Sequence, residues 1–112
     1  MKIAIASSNG KDVDTHLGKS SSVYIYEYNE KNNESTFLEH KIIEINSDSK
    51  HQGQKIIKTL EDCDVIISTQ HGIKTDIKAK ELDLKLVDDE GTIEEVLKRY
   101  TDHVNFMKNV KI

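Results

Sequence analysis

The alternation of apolar and polar positions divides the chain into eight predicted elements. Residues 2–8 set Ile3 and Ile5 on one face and Ala4 and Ala6 on the other. Both faces are apolar, as in a strand buried on both sides of a sheet, and the alanine face admits a helix closely. Residues 22–28 place Val23 and Ile25 opposite Tyr24, Tyr26 and Tyr28, a second strand. A polar turn at 29–33 makes the third strand, residues 34–45, its antiparallel partner. Phe37, Leu38, Ile42, Ile43 and Ile45 do not keep a period of two, so a bulge or bend is expected near His40.

Ser49 and Gln52 have capping-box spacing, and Ile56, Ile57 and Leu60 give a helical face, with Gly53 weakening the first turn. Residues 63–68 form a short continuous apolar run, the mark of a buried parallel strand. Ile73, Ile77 and Leu82 predict a short helix, and residues 84–87 a fifth strand. Thr92 and Glu95 cap the clearest helix, whose apolar face is Ile93, Val96, Leu97, Tyr100, Val104 and Met107. The order β-β-β-α-β-α-β-α implies an α/β domain with a mixed five-stranded sheet and helices packed on it.

Composition narrows the function. A chain of 112 residues reads as one domain, residues 1–112. With few aromatics its core must be aliphatic. A charged fraction of 32% with net charge −4 argues against nucleic-acid binding, which needs a basic face. No segment approaches transmembrane length, and the N-terminus lacks a signal-peptide core, so no membrane association and a cytoplasmic location are expected. The single cysteine, Cys63, excludes a disulfide framework within one chain.

The topology sorts the candidate ligands. With the fourth strand beside the first, the loops 7–18, 46–51, 69–72 and 88–91 emerge at one sheet edge, where open α/β sheets bind ligands. His16, His51 and His71 belong to that edge, whereas His40 lies in a strand and His103 on the last helix. Cys63 starts the fourth strand at the opposite end, on the order of 15 Å from His71, and reads as a small hydrophobe. The three helix N-termini at the same edge favour an anion, and neutral imidazole suits a transition metal, so an anionic metal cluster fits both. The plain alternative is that these loop histidines are merely solvated.

Met1-Lys-Ile-Ala-Ile-Ala-Ser7, Val13-Asp-Thr-His-Leu-Gly18 and Val23-Tyr-Ile-Tyr-Glu27 resemble the opening of the dinitrogenase iron–molybdenum cofactor biosynthesis family. Cys63-Asp-Val-Ile-Ile-Ser68, Gly72, and Gly91-Thr-Ile-Glu-Glu-Val-Leu-Lys-Arg-Tyr100 resemble its second half. The resemblance implies a ribonuclease H-like fold and an accessory role in nitrogen fixation. It implies binding or carrying of an iron–sulfur or iron–molybdenum cluster, with metallocluster donor or acceptor proteins as partners and no catalysis. His16 and Gly18 fall on the family's His-Phe-Gly motif, with Leu17 in place of phenylalanine. Thr15 and Gly72 are the further cofactor-binding positions, and the expected metal ligands are His16, His71 and His51. His71 rests on the geometric argument alone, since relatives carry a small or apolar residue there. The chain also lacks the family's glycine- and histidine-rich central loop.

Two other functions compete. A ligand-free regulatory or interaction module would use the Tyr24, Tyr26 and Tyr28 face, although such tyrosines usually pack as core. A ribonuclease H-like nuclease would need clustered carboxylates, one normally on the first strand, and residues 2–8 contain none.

Overall fold

The computed structural model describes residues 1–44 and 52–109. Its main sheet has the order β4-β3-β1-β5-β6, formed by β1 (Lys2–Ala6), β3 (Ser22–Asn29), β4 (Glu34–Ile42), β5 (Val65–Ser68) and β6 (Lys85–Asp88). β1 pairs parallel with β5 and antiparallel with β3, and β3 pairs antiparallel with β4. Only β3 therefore runs against the rest. Two short strands that periodicity does not show, β2 (Asp12–Val13) and β7 (Gly91–Thr92), pair across the sheet's end.

Helices α1 (Gln52–Thr59) and α2 (Ile73–Glu81) cover one face and α3 (Ile93–Asn109) the other. The alternation of β1 separates two cores. Ala4 joins Val23, Ile25, Ile66, Ile56, Ile57 and Leu60 under α1 and α2, while Ile3 and Ile5 join Val65, Ile67, Val96 and Leu97 under α3. The chain thus forms a mixed α/β fold with helices on both faces of a five-stranded sheet.

The bulge expected near His40 is present, with Leu38 as its extra residue, because Ile25 pairs with Glu39 and Tyr26 with Phe37. Several sequence expectations need correction. Ile73 and Ile77 do not face inward: they are 81% and 54% exposed, and α2 buries Thr75 and Ala79 instead. A Cβ on Gly53 would stand 2.2 Å from Thr75 Oγ1, so α1 and α2 approach closely enough that only small residues fit between them. Met107 is 57% exposed near the end of α3. Tyr28 is core, whereas Tyr24 is half-buried and stacks on His40 with ring centroids 4.2 Å apart. The Ser49–Gln52 cap, Ile45 and His51 fall on or include positions outside the described residues. Among the described residues, no helix is long and apolar enough to cross a membrane.

Candidate functional site at the sheet edge

The segment 7–18 leaves β1 and crosses the end of the sheet. Its two apolar residues anchor it on opposite sides: Val13, 2% exposed, lies in the α3 core, and Leu17, fully buried, in the α1/α2 core. Burying a leucine side chain contributes about 1.5–3 kcal/mol relative to leaving it exposed, enough to seat a polar loop that has no core of its own.

Side chains within the segment shape its first half. Ser7 Oγ accepts the Gly10 amide at 3.0 Å, and Asn9 Oδ1 accepts those of Lys11 and Asp12 at 2.8 and 2.9 Å. Gly10 has φ +77° and lies against the Tyr24 ring, where a Cβ would approach to 2.9 Å, so both conformation and space require glycine. Asp14 accepts from the Ser8 amide, the Ser8 hydroxyl and the Thr15 hydroxyl. Desolvation pushes the Asp14 carboxyl upward, but these hydrogen bonds together outweigh it and hold the group below the usual aspartate range.

Backbone hydrogen bonds then lace the segment to the loops that follow β5 and β6. Thr69 N–H donates to Thr15 O at 3.1 Å and Leu17 N–H to Gln70 O at 2.9 Å. Ile93 N–H donates to Lys11 O at 2.7 Å, beside the β2–β7 pair. Loops 7–18, 69–72 and 88–91 therefore meet at one edge, and His16 and His71 each sit one residue from the Leu17–Gln70 bond. His51 lies outside the described residues.

His16 begins a short 3-10 turn, Leu17–Lys19. Its Nδ1 accepts the Gly18 amide at 2.9 Å, and the ring is half-buried. A Cβ on Gly18 would stand 3.3 Å from His16 Cε1 and 3.4 Å from Nδ1, tighter than an ordinary contact. A side chain at position 18 would therefore crowd the imidazole.

His71 is held differently. Nδ1 lies 2.7 Å from Asp88 Oδ1 and Nε2 3.5 Å from Asp76 Oδ1, so carboxylates of the chain occupy both ring nitrogens. Sequence spacing offered no sign of this clamp, because Asp88 ends β6 and Asp76 lies on α2. Gly72 caps α2 with φ −88°, and a Cβ there would meet nothing within 4 Å. Neither strain nor crowding demands glycine at 72.

The electrostatics of the edge are divided. Around β2 and β7, Asp12, Asp14, Glu90 and Glu95 line a shallow hollow of about 650 Å³ with Val13, Thr69, Gly91 and Thr92. There the N-terminus of α3 is satisfied by its own cap: Thr92 Oγ1 accepts the Glu95 amide at 3.1 Å. The expected attraction of an anion to all three helix N-termini does not hold for α3. At α2 the N-cap Gly72 offers no side-chain cap, but the carboxylate of Asp76 stands in the first turn.

Cys63 and His40 lie apart from the edge. Cys63 is 6% exposed in the α1/α2 core, and burial first, then Asp62, pushes its thiol up to about 11. His40 bonds Ser22 through Nε2. A larger cleft of about 700 Å³, which periodicity did not reveal, opens between α3 and the β3–β4 hairpin, with Lys11, Tyr26, Leu97 and Lys98 on its walls. Among the described residues, no three His, Cys, Asp or Glu side chains are grouped to hold a metal ion.

Solved structures share this fold. PH0822 aligns with a TM-score of 0.70 at 16% identity, covering 92% of this chain and 90% of that one. The protein mj0327 from Methanocaldococcus jannaschii aligns at 0.63 and 16% identity, covering 92% and 89%. TM1290 from Thermotoga, solved by NMR, aligns at 0.58 and 15% identity, covering 90% and 87%. No curated protein sequence matches the chain. The family model described as dinitrogenase iron-molybdenum cofactor matches residues 1–103. With nearly its whole length covered by that model, the chain belongs to the dinitrogenase iron–molybdenum cofactor family.

Proposed function

We propose that the chain is a non-catalytic carrier or accessory protein. Its cargo is an iron–sulfur-type metallocluster, the iron–molybdenum cofactor or a precursor of it, passed between donor and acceptor proteins in the cytoplasm. The observation that carries this reading is the seating of His16. His16, which resembles the histidine of the family's motif, stands on a loop anchored in both cores, at the sheet edge where the loops after β1 and β5 are hydrogen-bonded together. Family membership supplies the cargo class. The sheet's mixed order and its two helical faces support assigning the fold to the ribonuclease H-like class.

In this reading His16, Thr15, Gly18 and Gly72 form the contact surface. His51 remains a candidate ligand from the segment before α1. His71 reaches the cargo only by leaving Asp88 and Asp76. The test is anaerobic titration with iron–molybdenum cofactor or a four-iron, four-sulfur cluster, followed by visible and paramagnetic resonance spectra. Stoichiometric binding that weakens in His16→Ala is expected; a wild-type chain that binds neither sinks the proposal.

A further inference from the structure

We propose that the outer edge of β4 is a self-association surface, on which a second copy of this chain pairs antiparallel and continues the sheet. The proposal stands apart from the carrier reading. Among the described residues, β4 lies at the end of the strand order with β3 as its one neighbour. It is 9 residues long, and Phe37, Leu38 and Ile42 are 50%, 46% and 70% exposed along it. Ile43 N–H donates to Ser21 O at 2.8 Å. By the antiparallel alternation, Glu39 and Lys41 then turn their backbone groups to β3, while His40 and Ile42 turn theirs to the outer edge. Beyond Ile43 the chain heads for α1, where Glu44 O accepts from Lys55 Nζ at 3.3 Å.

Charge selects both the occupant and the register. A two-fold axis normal to the sheet sets one residue of β4 opposite itself in the second copy. Glu39 and Lys41 share a face of the strand, with their charged groups 3.7 Å apart. An axis at His40 places each Glu39 opposite Lys41 of the other copy, twice by symmetry, and Leu38 opposite Ile42. Opposite charges directly across a strand pair attract, and like charges repel. An axis at Glu39 or Lys41 would set that charge against itself. An axis at Leu38 would set Phe37 against Glu39, and one further back would run the bulge through the ladder. At His40 there is room, because its ring stacks on Tyr24 of β3 and bonds Ser22 through Nε2.

Edge strands are commonly blunted by a bulge or a lysine, and β4 carries both. Neither blocks this register. The bulge precedes the regular run 39–42, and Lys41 meets a carboxylate of the second copy. Both devices count against the other registers, so they narrow the edge to one partner. β4 runs in the direction of β1, and its copy runs the opposite way. The two ligand edges therefore face opposite ends of the joined sheet.

Sedimentation equilibrium from micromolar to millimolar chain tests the proposal, with circular dichroism confirming that each variant is folded. A reversible monomer–dimer equilibrium is expected for the wild type. Lys41→Glu sets like charges opposite each other at both symmetry-related positions, as does Glu39→Lys, and each is expected to weaken the dimer about tenfold. The double swap Glu39→Lys with Lys41→Glu recreates both attractions and is expected to restore the wild-type constant. A wild-type chain that stays monomeric at millimolar concentration overturns the proposal and leaves the edge to a strand of another protein. A dimer indifferent to the single swaps, or a double swap no better than they are, overturns it too. Amide hydrogen exchange of the wild type gives a second reading that needs no variant. The amides of Glu39 and Lys41 are expected to be protected at all concentrations, and those of His40 and Ile42 only where the dimer forms. Protection of His40 and Ile42 in the dilute monomer means that the chain covers its own edge, and overturns the proposal.

Discussion

Gly53→Ala is the substitution for which local propensity and packing predict opposite signs. Gly53 is the second residue of α1, and alanine exceeds glycine by about 0.8–1.0 kcal/mol in a helix interior. Judged by propensity alone, the change stabilises the protein. In the folded chain the added Cβ would stand 2.2 Å from Oγ1 of Thr75 and 3.3 Å from its Cβ and Cγ2. Thr75 is 8% exposed, and rotation about χ1 cannot move its Cβ, so the helices themselves must part. Overpacking of this kind costs about 1–3 kcal/mol, which exceeds the propensity gain and leaves a net loss of about 1 kcal/mol, up to about 2. For a chain of this size that lowers the melting temperature by roughly 4–8 °C. Urea unfolding checks it, with the midpoint falling at an unchanged m value. In a Thr75→Ala background the penalty shrinks by about 1 kcal/mol, because the colliding oxygen is gone. A Gly53→Ala chain as stable as wild type, or an equal cost in both backgrounds, would refute the close helix approach.

The other expectations are simpler to check. Leu17→Ala empties a fully buried site and costs about 2.7–5 kcal/mol, measured by chemical denaturation; a cost below about 1 kcal/mol would mean that Leu17 does not anchor the segment. The Asp89 carboxyl is held below the usual range chiefly by the hydrogen bond from Arg99, and Asp14 is also lowered. A depressed folded pKa contributes stability above the unfolded value, about 3.9, and that contribution is lost as pH falls through the folded value. Thermal melts should therefore show acid destabilisation below about pH 4 that is shallower in Arg99→Ala; identical profiles would exclude the Asp89 contribution. With its thiol at about 11, Cys63 should react with a disulfide reagent at pH ~8 far more slowly in the native chain than in urea, and equal rates would place it at the surface.

Most of the element order was legible from periodicity because each main strand and helix buries a face set by its own side chains. Ile3/Ile5 against Ala4/Ala6 already described a strand between two layers, and the Thr92–Glu95 cap marks the start of α3 at the right residue. The location of His16 at the sheet edge was legible as well, from its place after the first strand. Cys63 was also correctly set apart from the edge, since strand direction alone puts it at the opposite end.

Periodicity failed where contact with a second element outweighed hydrophobicity. Ile73 and Ile77 form an apolar pair one helical turn apart, yet α2 turns Thr75 and Ala79 inward because Gly53 of α1 permits a closer approach there. The same holds at the edge. Asp76 and Asp88 are unremarkable acidic residues in the chain, and folding alone brings them onto the two nitrogens of His71. Hydrophobic pattern is local and can be read along the chain. That Nδ1 of His16 accepts the Gly18 amide depends on where that amide points, and a direction in space has no local sequence signal.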